Sequence, residues 1–218
     1  MKIKWYGHSA FQITTEKGMR IIIDPYESGS FSGALSYGKI EDEAEIVMTS
    51  HDHADHNYTK DIKGKYKHVS RAGEHEIKDI KIKAIPSFHD SVEGKKGGSN
   101  LIFVITADGL NLVHMGDIGH SLDPELLKKI GKVDILLLPV GGFFTVDAAM
   151  AQKIMNDIKP SITIPMHYKT AKCNFPITPV DDFTKNQANV RMLKESSIVI
   201  KKETLPKEPK IIVLQHAL

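Results

Sequence analysis

Cysteine is nearly absent. One residue, Cys173, stands in 218, so no disulfide can close within the chain, and a reducing compartment is its expected setting. Long apolar runs are missing too: none approaches the ~18 residues needed to span a bilayer. No signal peptide precedes the alternating opening Met1-Lys2-Ile3-Lys4-Trp5, so a cytoplasmic protein without membrane contact is expected. Neither sign of charge dominates. With 29 basic against 27 acidic residues the net charge is +2, which supplies no basic field for nucleic acid and favours a small-molecule substrate. A Gly-x-Ser-x-Gly elbow is absent, and the glycines of 91–99 lack the spacing of a phosphate-binding loop. No repeat or composition shift marks a boundary. Residues 1–218 are expected to form a single domain large enough to bury a core unaided.

What is there is concentrated in six residues. His51-Asp52-His53-Ala54-Asp55-His56 carries three imidazoles and two carboxylates directly after the apolar run Ile46-Val47-Met48. Imidazole with carboxylate is the usual ligand set for zinc and its first-row neighbours. A solvated turn would use Gly, Asn and Ser rather than three histidines, and an affinity tag would be terminal.

The first half reads as strands at 1–6, 10–15 and 19–23, the last apolar on both faces and ending at Asp24-Pro25. Residues 26–39 are rich in Gly and Ser but hold Tyr26, Phe31 and Tyr37, as a loop closing over a pocket or packing on the surface would. One or two helical turns are expected from Tyr58 to Ile62, ending at Gly64. Strands follow near 66–69, 79–85, 100–106 and 110–114, the last two joined through Asp108-Gly109, with a flexible polar loop at 91–99. The second half alternates. Asp123-Pro124 opens a helix to Ile130, Val133–Val140 is a buried strand, and Thr145 can cap a helix over 146–158. A strand at 161–165, a short helix at 179–186 and strands near 196–203 and 210–214 close the chain. Strands covered by helices on both faces imply a layered α/β sandwich.

Three further candidate ligands end apolar strands: His89, Asp117 and His167. Taken singly, a strand-end histidine is more often a satisfied side chain than a ligand and Asp117 could be a plain turn residue, but all three fall at strand ends in the same phase as the first cluster. His114, three residues before Asp117, competes with His89.

The His-x-His-x-Asp-His cluster, a later strand-end Phe88-His89, Met115-Gly116-Asp117 and Pro165-Met166-His167-Tyr168 resemble the metallo-β-lactamase superfamily. Tyr6-Gly7-His8-Ser9-Ala10-Phe11 and Ile23-Asp24-Pro25 extend the likeness, which runs from residue 1 to about 215 and is strongest to the small stand-alone, lactonase-like hydrolases. One departure is Glu45, where the family pattern has Asp. The resemblance implies a four-layer αββα sandwich with two divalent metals at one edge: zinc first, manganese or iron as alternatives. It implies that His51, His53 and His89 hold one metal, that Asp55, His56 and His167 hold the other, and that Asp117 bridges. Asp24 would orient a ligand imidazole, with His8 in a similar role. A hydroxide between the metals would be the nucleophile, oriented by Asp55, with His120 as a candidate proton donor. The substrate expected is a small anionic ester or lactone. Lys169, followed by Lys172 and faced by Lys95 and Lys96 on the opposite candidate wall, is the candidate for binding its charge. A phosphodiesterase or nuclease, a diiron redox protein and a non-catalytic metal binder are the alternatives within the same fold.

Overall fold

The computed structural model describes residues 1–218. The first half contributes β1 (Lys2–Gly7), β2 (Ala10–Thr14), β3 (Arg20–Ile23), β4 (Ile46–Met48) and β5 (Lys67–Val69). Next come β6 (Gly73–Ile77), β7 (Ile80–Phe88), β8 (Ser99–Ala107) and β9 (Leu110–His114). The second half alternates α1 (Pro124–Ile130), β10 (Ile135–Pro139), α2 (Ala148–Ile158), β11 (Ile162–Met166) and α3 (Asp181–Thr184), then β12 (Val190–Met192), β13 (Ser197–Val199) and β14 (Lys210–Val213). No helix is long and apolar enough to cross a membrane.

These strands form two sheets, in the orders β13-β1-β2-β3-β4-β5 and β12-β14-β11-β10-β9-β8-β7-β6. Their facing apolar side chains and the inner sides of α1 and α2 make one core cluster of 49 buried residues. The expected α/β two-sheet sandwich is what the chain forms, with one difference in its outer layers. Helices cover the second sheet, whereas the outer face of the first packs Tyr6, Ala10, Ile22 and Val47 against loop residues such as Tyr26, Tyr37 and Phe175. Pro25 and the Gly/Ser-rich stretch that follows prevent a regular element there.

Topology fixes where the site must lie. In the first sheet β1 and β3 run parallel, each antiparallel to β2, and β4 pairs parallel with β3. In the second, β7 and β9 are each antiparallel to β8, and β9, β10 and β11 are parallel neighbours. The carboxyl ends of β1, β3 and β4 therefore point one way in the first sheet, as do those of β7, β9, β10 and β11 in the second. In open α/β sheets that edge is where ligands bind.

Several local expectations are corrected. Residues 58–62 form an open turn with no helix, closed by Ile62 N–H to Thr59 O at 3.2 Å. Asp147, not Thr145, caps α2: its carboxylate accepts Met150 N–H at 2.8 Å, because residues 142–146 are tied into a loop by Gly142 N–H to Val146 O. Strands β6 and β12 were not anticipated. Both are mostly exposed edge segments without a continuous apolar face.

Candidate metal centre

Three segments of the first sheet and three of the second meet at this edge. β4 ends into Ser50 and the histidine cluster, β3 into Asp24 and β1 into His8; β7 ends into His89, β9 into Gly116-Asp117 and β11 into His167. Asp117 lies at the centre, buried. Its Oδ2 is 3.2 Å from His56 Nε2, 3.1 Å from His89 Nε2 and 3.1 Å from His167 Nε2. Its Oδ1 has no partner. The approach to Asp117 is set by two residues that sequence reasoning missed or passed over. Gly116 has φ +55°, and a Cβ there would overlap the Asn100 amide. Asn100 is fully buried; its Oδ1 accepts Asp117 N–H at 2.9 Å while its Nδ2 donates to Ser87 Oγ and Met115 O. An asparagine inside the apolar stretch Leu101–Ile105 and its flank was the available signal.

The other carboxylates are equally constrained. Asp24, fully buried, accepts Ser50 N–H and Ser50 Oγ–H, both at 2.7 Å, and His56 Nδ1–H at 2.9 Å. That last bond leaves His56 Nε2 facing the site. Burial acts to raise the Asp24 pKa, but the hydrogen bond and charge of His56 hold it below the usual carboxylate range. His8 Nε2 lies 3.1 Å from Asp55 Oδ2, and its ring centroid is 4.1 Å from that of His167. Burial pushes His8 down to about 4 and His51 down to about 3, so both are neutral imidazoles. Burial opposes charge on His56 as well, but Asp117 and Asp55 outweigh it and raise that histidine well above its ordinary value. In the absence of cations the cluster keeps a proton there to offset its carboxylates.

Donor atoms fall into three groups within 4.8 Å: His51-His53-His89; His8-Asp55-His56-His167; and His51-His56-Asp117. The first two correspond to the two ligand sets expected, with His8 added, and the third links them through Asp117. His51 Nε2, His56 Nε2, His89 Nδ1, His167 Nδ1, His8 Nδ1 and Asp117 Oδ1 are buried without a hydrogen-bond partner. Buried polar atoms left without partners cost free energy unless something binds them. Neutral nitrogens and ionised carboxylates are the donors that divalent cations require. The residues fit metal.

His114 is different. Its Nε2 donates to Ser9 O at 2.9 Å and its Nδ1 accepts Gly116 N–H at 3.0 Å, leaving no free nitrogen. Two other candidates fall outside. His120 accepts Phe88 N–H at Nε2 and donates from Nδ1 to Ser121 O. Both nitrogens are thereby committed and the ring does not line the cleft, so it cannot serve as the proton donor. Lys169 donates to Phe175 O at 3.3 Å and is also not a cleft residue; Lys96 is the basic side chain that is.

The cleft above the cluster encloses about 730 Å³ and is walled by Phe31, Phe143, Phe144 and Phe175, by Asp90, Ser91, Lys96 and Gly97, and by His53, Asp55, His89, Asp117 and His167. Of the loop aromatics at 26–39, only Phe31 reaches it; Tyr26 and Tyr37 are buried beneath.

Residues 2–167 match the beta-lactamase superfamily domain. The chain belongs to that superfamily. It is 31% identical to a UPF0173 metal-dependent hydrolase of Thermococcus onnurineus over 78% of this chain and 85% of that protein. A similar solved structure is a candidate Zn-dependent hydrolase of the metallo-beta-lactamase superfamily from Thermotoga maritima. It is 32% identical, with TM-score 0.82, over 98% of this chain and 97% of that one. A novel metallo hydrolase of Ignicoccus hospitalis is 25% identical with TM-score 0.61, over 80% and 84%. The protein is a metal-dependent hydrolase of the metallo-β-lactamase fold.

Proposed function

We propose that this hydrolase is binuclear and acts on a small ester or lactone. His51, His53 and His89 would hold one divalent cation and Asp55, His56 and His167 the other, with Asp117 a ligand available to both. Zinc is the first choice, with manganese or iron as alternatives. The observation that carries this reading is the convergence of three histidine nitrogens on one oxygen of Asp117 while its other oxygen stays unpartnered. Bound there, the metals supply water activated at neutral pH and an electrophile for the carbonyl oxygen.

The chain's own residues do the rest. Asp24 and the Asp55–His8 pair fix the orientation of His56 and of the Asp55 carboxylate. Asp55, kept ionised by His56 and His8 against the effect of burial, accepts a hydrogen from the attacking water and orients it. Lys96 on the cleft wall would meet an anionic group on the substrate. Cys173, buried and free, takes no part and fits the reducing cytoplasm, where we place the protein. The test is metal analysis of purified protein with titration to saturation, paired with a panel of lactones, thioesters and phosphodiesters. Two equivalents per chain and lactone turnover are expected. One saturating equivalent would overturn the binuclear reading, and turnover of phosphodiesters alone would overturn the substrate class.

A further inference from the structure

The four phenylalanines of the cleft form one connected surface that starts at the metal edge. The Phe175 ring lies 5.7 Å from His8, 5.2 Å from Phe31 and 5.7 Å from Phe144, and Phe144 lies 4.7 Å from Phe143, all nearly edge to face. Phe175 is buried and anchors the set. Phe31, Phe144 and Phe143 are 50%, 42% and 74% exposed, although burying each ring would be favourable. Nothing else in the fold needs them there. Both outer rings are also carried on strained backbone: Phe31 has φ +52° and Phe143 φ +62°, the left-handed region that aromatic residues rarely enter. Phe144 N–H closes back on Gly142 O at 2.8 Å, a three-residue turn with Phe143 at its apex, the rare and strained hand of that turn. Exposed apolar surface and backbone strain are both unfavourable, and they coincide at one wall of the site. Such coincidence marks a ligand contact.

We infer that this wall is a binding site for an apolar acyl chain, so that the preferred substrates are esters or lactones carrying a medium-length alkyl group. The inference rests on the hydrolytic reading above and assigns Phe143, Phe144 and Phe31 as specificity-determining residues. The reacting carbonyl sits at Asp117 and His167, and the chain runs outward past Phe175 to Phe143. The four rings carry no charge, and the charged side chains of the cleft, Asp52, Asp55, Asp90, Asp117 and Lys96, lie among the other lining residues. This departs from the expectation of a substrate recognised chiefly by its charge.

The experiment uses the full-length, metal-loaded protein and γ-lactones whose side chain grows from methyl to pentyl. Each methylene buried on the wall should raise kcat/KM by roughly two- to fourfold, so the pentyl compound should exceed the methyl compound by at least about tenfold. In Phe143→Ala/Phe31→Ala that ratio should fall below about threefold, and Phe143→Leu should restore most of it. A ratio near one in the unmodified protein, or one that survives the double substitution, overturns the inference while leaving hydrolysis standing. Binding of neutral alkanamides, butanamide to octanamide, measured by calorimetry, separates the two claims. Affinity that rises with chain length and is flattened by the double substitution supports the wall even where no lactone is turned over. A dimer of the unmodified protein that the double substitution dissociates would instead make the rings a subunit contact and overturn the inference.

Discussion

Asp24 offers the sharpest test of how the metal edge is assembled, because it touches no candidate ligand position directly except through His56. Its carboxylate is fully buried and accepts three hydrogen bonds, two from Ser50 and one from His56 Nδ1. Bonds to a charged acceptor contribute about 1.5–3 kcal/mol each, and removing one partner of a buried ionic set costs about 3–5 kcal/mol. Asp24→Ala should therefore lose about 3–5 kcal/mol, and somewhat more because Asp24 sits at φ +47°, where alanine is disfavoured. Asp24→Asn keeps the shape and tolerates the left-handed backbone. However, its NH2 must replace a carboxylate oxygen that accepts from Ser50 and His56 or from Ser50 N–H, so about 1.5–3 kcal/mol should go. For a chain of this length each kcal/mol moves the melting temperature by roughly 2–4 °C. Scanning calorimetry of metal-free protein should thus separate the two variants by several degrees. The same loss frees the His56 ring, and zinc affinity measured by chelator competition should fall roughly 10- to 100-fold in both. Unchanged zinc affinity in Asp24→Asn would show that His56 is oriented by packing alone, and the role given to Asp24 would be abandoned.

Three further outcomes are expected. His89→Ala should lose one metal equivalent and activity together; His114→Ala should cost about 2–4 kcal/mol of stability and leave metal content intact, since both His114 nitrogens are bonded inside the protein. Reversed metal contents would refute the assignment. For the metal-free protein, burial lowers His8 to about 4 and His51 to about 3. Stability from these neutral rings is present above the unfolded value near 6.5 and is lost as pH falls toward 4. His56, raised by Asp117 and Asp55 against burial, acts oppositely and loses its contribution as pH rises through its elevated value. Melting temperatures taken from pH 7 to pH 4 should fall, and a flat profile would count against the burial of these rings. Asp90 accepts backbone N–H groups from Val92, Gly94, Lys96 and Gly97, so Asp90→Ala should speed hydrogen exchange at those four amides and weaken metal binding through neighbouring His89. Exchange unchanged at all four would mean the loop is held by other contacts.

Much of this architecture was legible because it is written in strong, local signals. The Ile21–Ile23 and Val133–Val140 runs, the Asp123-Pro124 helix start and the Asp108-Gly109 turn each specify an element without help from the rest of the chain. Strand ends told where His51, His89, Asp117 and His167 would emerge. The misses come from hydrogen bonds and ring contacts that no periodicity or turn pattern announces. Nothing near His120 announces that Phe88 N–H and Ser121 O occupy both its nitrogens. Lys169 follows a site histidine closely, yet the chain turns its ammonium to Phe175 O. Phe143 and Phe144 follow Gly141-Gly142 as an ordinary loop, and only the fold brings Phe31 and Phe175 beside them. Residues 91–99 read as a flexible polar loop, whereas the carboxylate of Asp90 just before them gathers that loop.

The distribution of backbone strain connects these observations. His8, Asp24 and His167 have φ of +51°, +47° and +51°, and each is the first residue beyond a strand at the same edge. Glycine would relieve the conformation at no steric cost, but glycine carries no imidazole or carboxylate. The left-handed residue turns the chain sharply out of the sheet, so that the side chain is delivered to the edge instead of continuing the alternation of the strand. What holds the turns is local and specific: Asp24 N–H bonds to Met48 O at 2.9 Å, and His167 N–H bonds to His8 O at 3.1 Å, so two of the strained residues brace each other across the sandwich. Two other left-handed positions near this edge are glycines, Gly7 and Gly116, where a Cβ would meet Tyr37 and Asn100. At this edge the strained positions carry an imidazole or carboxylate where the site uses one, and glycine where a Cβ would not fit. By the same logic Phe31 and Phe143, strained without any ligating atom, are held in place for the apolar surface they present.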